Sequence, residues 1–406
     1  MSPGQIRVLA ASFVGVGMCQ MTVLSASFGV FMGPLSEEFQ WRRGDIALAL
    51  TLATIAIATL SPFVGRLMDR FGVQQILFLS AVPFGLAFAS LFFLFDSLIY
   101  FYTIFVVVGI VGAGTNAIGY TRVVALWFDQ SRGLAIGIAM SGVGLTSAAI
   151  PVFAQSLISA FGWRLAYPGL AATAGLTILV AAVLLREKPT IDQQPESSPK
   201  TVKSAQTPNL PFLAHLKNNR IERRHFILLS MIVLCLAIAV NGTSIHVFPY
   251  LTDSGITPSR AALTMSLFGI GLALGKLITG VLIDHFFAPF VGCIIFLLVG
   301  TALMLLYSQP NVALTGCAIF IIGFGAAALA SLTAYLASRY FQASALGEAY
   351  GYLYGLLILG TAMGPYLIGL GFDFSGSYRA GLLYCSFAVL AISLLFLKLG
   401  AYSTQE

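Results

Sequence analysis

Twelve continuous apolar runs of about 20 residues or more follow one another along this 406-residue chain, and that repetition leaves few folds open. A helix of that length crosses the roughly 30 Å hydrocarbon core of a bilayer with every backbone polar group satisfied internally. The runs lie near 8–33, 45–67, 74–95, 98–126, 132–160, 164–185, 226–250, 260–283, 288–307, 311–338, 347–371 and 378–399. An outer-membrane barrel would need alternating segments of about 10 residues, and these runs do not alternate. Only 9% of the residues are charged, against about 25% in soluble domains, so the chain cannot cover a water-facing surface. The expected class is an all-α polytopic membrane protein with a lipid bilayer as its partner.

Between the sixth and seventh runs, 187–224 is rich in Pro, Ser, Lys and Arg. Such a segment cannot bury a core and serves as a cytoplasmic linker. It divides the chain into six-span units at 1–186 and 225–406. With both termini inside, 14 of the 21 Lys and Arg fall on the cytoplasmic side and five on the outer side, the asymmetry of an inner (plasma) membrane protein with cytoplasmic termini. The net charge of +6 follows from this topology, and no nucleic-acid partner is expected. The first run is too long for a signal h-region. The five cysteines all sit in apolar runs without a CxxC and are expected as buried thiols. No metal, cofactor or enzymatic constellation is visible, and a monomer is expected.

One short motif recurs. Gly65-Arg66-Leu67-Met68-Asp69-Arg70-Phe71-Gly72 joins the second run to the third as a short charged turn, and a degenerate copy, Gly280-Val281-Leu282-Ile283-Asp284-His285, joins the eighth to the ninth. Gly133, Gly137 and Pro151 of span five recur 214 positions later as Gly347, Gly351 and Pro365 of span eleven. Repetition at a near-constant offset implies duplicated halves.

The Gly-x-Leu-x-Asp-Arg-x-Gly pattern at 65–72, the twelve spans and the central linker resemble the major facilitator superfamily. Gly29-Val30-Phe31, Pro34-Leu35, Glu38-Phe39-Gln40-Trp41-Arg42, Trp127-Phe128, Arg132-Gly133-Leu134-Ala135-Ile136-Gly137 and Gly162-Trp163-Arg164 more narrowly resemble its monocarboxylate porter and oxalate/formate antiporter branch. The resemblance implies two pseudo-symmetric six-helix bundles around a central cavity. It implies secondary transport of a small organic anion, most simply a monocarboxylate, coupled to protons or a counter-anion. It also implies a latch at Gly65, Asp69, Arg70 and Gly72 with Asp284 and Glu348, in which Asp69 pairs across the halves when the outside is open.

Lys276 is the most informative single residue. A cation near the middle of a span costs about 2.5–3.5 kcal/mol to insert and usually faces a cavity. Helical spacing puts Gly269, Ala273 and Gly280 on its side, small neighbours that would leave room around the ammonium. The resemblance implies that it binds a substrate carboxylate; the alternative is a lysine snorkelling to the interface. Animal monocarboxylate transporters carry an Asp at the place of Leu272, and the oxalate antiporter a second cation in span eleven; both are missing here. One cation suits one carboxylate. A proton would then ride on Lys276, on His246 or on the substrate. Gln20, Asn116, Tyr120, Asn241 and Tyr354 are mid-span polar residues that would orient a ligand or serve as interhelical glue. Arg122 joins them as a substrate ligand or pairs structurally with Asp129, Glu348 or Asp69. The competing functions are export of amphipathic drugs, which calls for a wide aromatic cavity without a reachable cation, and a membrane receptor that binds without translocating.

Overall fold

The computed structural model describes residues 1–128, 132–185, 220–308 and 311–402. The expected linker residues 187–219 and Asp129 lie outside them. Among the described residues, eleven helices are long and apolar enough to cross a membrane. One of these, Arg132–Leu184, has 53 residues and would reach about 80 Å if straight. It is two spans folded back at Gly162, whose φ of 79° and ψ of 162° form a conformation essentially reserved for glycine. The described residues therefore form twelve spans.

Span one comprises Pro3–Gly17 and Gln20–Phe39, and spans two and three are Arg43–Phe71 and Val73–Ala89. Span four comprises Leu98–Gly112 and Ala117–Trp127, with spans five and six in Arg132–Leu184. Spans seven to ten are Arg220–Asp253, Pro258–His285, Ala288–Tyr307 and Val312–Tyr340. Eleven and twelve are Ala343–Ser375 and Tyr378–Ser393. Three corrections to the sequence boundaries follow. The 65–72 motif is mostly helix: span two runs to Phe71, and the turn is made by Gly72 alone, at φ 84°. Arg220–Arg224, inside the segment assigned to the linker, are already helical. Spans one and four are broken, at Met18–Cys19 and Ala113–Asn116, where hydropathy reads straight through.

The same helix pairs form in each half. Span one packs on five, two on four and three on six; seven packs on eleven, eight on ten and nine on twelve. Glycine sets the close approaches. A Cβ on Gly109 would sit 2.8 Å from the Ala53 carbonyl (spans four and two), and one on Gly323 would sit 2.1 Å from the Phe268 carbonyl (spans ten and eight). Without a hydrophobic drive between helices in lipid, such small-residue contacts supply the packing.

Between the halves, span one meets seven, two meets eleven and five meets eight. These seams are tight at the face opposite the termini. Thr51 Oγ1 donates to the Ala362 carbonyl at 2.6 Å, and Ser266 Oγ to the Ala148 carbonyl at 2.7 Å. A Cβ on Gly29 would lie 2.5 Å from the Ile245 carbonyl. Toward the termini, a Cβ on Gly65, Gly137, Gly280, Gly347 or Gly351 would meet only open space. The halves thus form a V, closed at the far face and open on the side of the termini.

Candidate functional site

Where the two halves diverge they enclose a cavity of about 160 Å³. Its walls come from spans one, two and five of the first half and seven, eight and eleven of the second. Pro151 and Pro365, the repeated prolines, both line it from symmetry-related positions. Apolar wall is supplied by Leu50, Met265 and Phe268, and hydroxyls by Ser25, Thr54, Ser244 and Thr361. Each of these hydroxyls donates to a carbonyl of its own helix, as Ser25 does to Met21 at 2.8 Å and Ser244 to Asn241 at 2.7 Å. Their oxygens therefore face the cavity mainly as acceptors, and positive charge must come from elsewhere.

Lys276 supplies it. Leu272 lines the cavity, and Lys276 lies one helical turn nearer the termini. Its Nζ is 3.5 Å from the Met140 carbonyl of span five. Cys19 caps the second half-helix of span one, whose Met21 and Thr22 line the cavity. Lys276 does not itself line the cavity; it lies one turn from Leu272, against the Met140 carbonyl of span five. Among the described residues, no carboxylate lies within ion-pair distance of it. Gly269 and Ala273 do not leave room around the ammonium as expected. They hold span five against span eight: a Cβ on Gly269 would be 2.2 Å from the Ala148 nitrogen, and Gly144 packs on Ala273. That close approach brings the Met140 carbonyl to Lys276.

Of the other predicted ligands, Asn241 lines the cavity, its Nδ2 bonded to the Ala237 carbonyl at 3.2 Å. Gln20 is fully buried inside the first half, donating to the Val108 carbonyl of span four at 2.6 Å. Tyr120 is equally buried, packed against Gly15 of span one. Asn116 occupies the N-cap of the second half-helix of span four. These three belong to the seam between the two broken spans. Tyr354 is exposed and lies beside Tyr350 on the terminus side of span eleven. Arg122 pairs with Asp69 of its own half at the terminus-side rim, away from the cavity. His246 is buried with both ring nitrogens engaged, Nε2 to the Pro365 carbonyl at 2.7 Å and Nδ1 to the Tyr378 hydroxyl at 3.0 Å. A neutral ring protonated on Nε2 meets both partners, which makes it a packing residue in this state. Among the latch residues, Arg70 lies over Phe71, Gly65 is half-buried with open space where a Cβ would stand, and Asp284 is exposed.

A family model for the Major Facilitator Superfamily matches residues 13–329 and 227–404. The chain belongs to that superfamily. It is a transporter and not an enzyme. Mouse monocarboxylate transporter 11 is 26% identical over 97% of this chain and 86% of its own length. An uncharacterized MFS-type transporter of Bacillus subtilis, YcxA, is 24% identical over 92% of this chain and 88% of its own. The fold is that of a bacterial homolog of the human lysosomal transporter Spinster in an inward-facing, unoccupied conformation, with TM-score 0.73 at 17% identity and full coverage of both chains.

Two of the segments that carried the narrower sequence resemblance, Glu38–Arg42 and Gly162–Arg164, meet at the far face. Trp163 Nε1 donates to Glu38 at 2.6 Å, Arg164 pairs with the same carboxylate, and Trp41 Nε1 reaches Asp96 at 2.7 Å. The Gly162 fold-back places Trp163 and Arg164 for this contact. Sequence reasoning missed a second far-face cluster that joins the halves. Arg43 makes a bidentate pair with Asp253 and donates to the Tyr378 hydroxyl at 2.9 Å. The only advance signal was the set of acids and arginines at the far ends of spans two, seven and eleven.

Proposed function

We propose that this superfamily member carries a small organic anion, most simply a monocarboxylate, by alternating access. The observation that carries the reading is the Lys276 ammonium, one helical turn from the cavity-lining Leu272 and without a carboxylate partner among the described residues. A buried cation without a counter-ion is costly, and a substrate carboxylate supplies the missing charge. The relatives named as monocarboxylate transporters support the same substrate class. Among the described residues, Phe268 is the one aromatic lining the cavity, which gives an amphipathic drug little to stack on.

With both termini cytoplasmic in the inner membrane, the open side of the V faces the cytoplasm. Substrate then enters or leaves past Lys276 while Arg43 and its partners seal the outside. Coupling follows from charge. A proton on Lys276 and a carboxylate beside it favour each other by the same factor, and the loaded pair is neutral as the halves rock. Anion exchange with Lys276 charged throughout is the other mode the site supports. The direct check is a ligand-stabilisation screen of carboxylates, amines and sugars on the purified protein. Short carboxylates should raise the melting temperature; stabilisation by amines or sugars with none by carboxylates would overturn the assignment.

The 65–72 motif serves this cycle as a latch. With the inner side open, Asp69 pairs with Arg122 inside its own half. Closing the inner side would bring Asp69 to span eleven, where Glu348 and the helix start lie. Replacing Asp69 with Asn is expected to slow substrate exchange severalfold while equilibrium binding stays near wild type, because the contact biases conformations and touches no ligand. Unchanged exchange rates and unchanged cross-linking of the two cytoplasmic rims would remove the latch.

A further inference from the structure

Arg43 holds more than a structural ion pair. Its guanidinium, 13% exposed, grips both oxygens of Asp253 at 2.6 and 2.8 Å. The Tyr378 hydroxyl accepts from the same Nη1, and the Phe372 ring lies 4.2 Å beneath the guanidinium carbon. The backbone amides of Arg43 and Gly44, at the start of span two, donate to the two oxygens of Asp373 at 3.0 and 2.9 Å. Glycine at 44 allows this approach, since a Cβ there would meet the Asp373 oxygen at 2.7 Å. Two carboxylates are thus seated on one residue and its neighbour.

All of those partners belong to the second half, and Arg43 belongs to the first. When the halves part on the outside, Arg43 loses Asp253 and Asp373 together. Glu38 of its own half is already held by Arg164 and Trp163. What remains is a planar guanidinium fork, the donor geometry best matched to a carboxylate. We propose that Arg43 is the outer docking site for the substrate carboxylate: in the outward-open form the entering anion takes the place that Asp253 holds in the closed gate. The inference rests on the organic-anion function proposed above. It adds a second site to Lys276, on the opposite side of the cavity, and makes substrate and gate compete for one cation. An external carboxylate thereby favours the open gate, and its departure toward Lys276 lets Asp253 return.

A lock and a docking site predict opposite behaviour. If Arg43 only locks the gate, Arg43→Gln populates the outward-open form, and outside carboxylate binds more tightly. If Arg43 also docks substrate, Arg43→Gln opens the gate and loses the outside site, whereas Asp253→Asn removes the competitor and tightens binding by roughly tenfold, the scale of one charged hydrogen bond. The experiment uses the full chain in nanodiscs with native cysteines replaced by Ser and spin labels at Glu37→Cys and Ser375→Cys. Propionate is the probe, and chloride at equal ionic strength is the control. Propionate is expected to widen the distance between the labels in the wild-type background and in Lys276→Gln, where chloride does not. Arg43→Gln should start wide and give no response, and Asp253→Asn should respond at about a tenth of the concentration. Equal effects of chloride and propionate, a response in Arg43→Gln, or a response lost in Lys276→Gln would each overturn the assignment. Propionate uptake by the wild-type protein separates the two levels. Uptake with a silent gate sinks the Arg43 site alone, and a protein that carries no carboxylate sinks the function beneath it.

Discussion

Lys276→Gln is expected to abolish carboxylate uptake, by at least a hundredfold, in a protein that still inserts and folds. Glutamine is one atom shorter but keeps hydrogen-bonding capacity and removes the charge, and the neutral side chain inserts more cheaply than lysine at this depth. The fold therefore loses nothing that depends on the ammonium except its 3.5 Å contact with the Met140 carbonyl. Lys276→Arg should keep part of the binding, because the charge survives while the geometry changes. Uptake into reconstituted vesicles, alongside the melting temperature of each variant, reads both outcomes. Wild-type substrate affinity in the Gln variant would remove Lys276 from the site.

The second large effect is expected at Gly269. A Cβ there would lie 2.2 Å from the Ala148 nitrogen and 2.6 Å from the Gly144 carbonyl. Those are backbone atoms of span five, which cannot swing aside as a side chain does. Gly269→Val should cost about 1–3 kcal/mol or more through overpacking and wedge the span five–eight seam apart. Uptake should fall to background with the loss of the Met140–Lys276 geometry. Gly381 on span twelve is the control, because a Cβ there meets nothing within 4 Å. Gly381→Ala should leave melting temperature and transport at wild-type values. If Gly269→Val also transports normally, the seam is not a fixed pivot.

What the sequence made legible were features that repeat or that the bilayer enforces. Twelve apolar runs could only be spanning helices, because lipid leaves the backbone no other partner. The Pro151 and Pro365 pair marked corresponding positions, and both prolines line the cavity. Lys276 stood out because an intramembrane charge is expensive, and it lies one helical turn from the cavity-lining Leu272. Less legible was anything set by which face of a helix points where. Gln20 and Tyr120 have the polarity of ligands, yet they fill the seam between two broken spans, and hydropathy carries no trace of those breaks. The cavity hydroxyls of Ser25, Thr54 and Thr361 look in sequence like any serine or threonine bonded to its own helix, which they also are. Arg43 and Asp373 are 330 positions apart, and no local pattern links them. Gly269 and Ala273 were seen as room for a ligand, whereas small residues on a helix equally admit another helix.

The central claim is carriage of a carboxylate that depends on the Lys276 charge. Reconstituted vesicles loaded with buffer alone or with an internal carboxylate, and given labelled carboxylate outside with or without an acid-outside gradient, test it most directly. The account predicts accumulation driven by the pH gradient without internal anion if the proton rides with substrate, or accumulation that requires the internal anion and ignores the gradient if the carrier exchanges. In either case the flux vanishes in Lys276→Gln. Absence of carboxylate flux under both driving forces, or equal flux in wild type and Lys276→Gln, would contradict it.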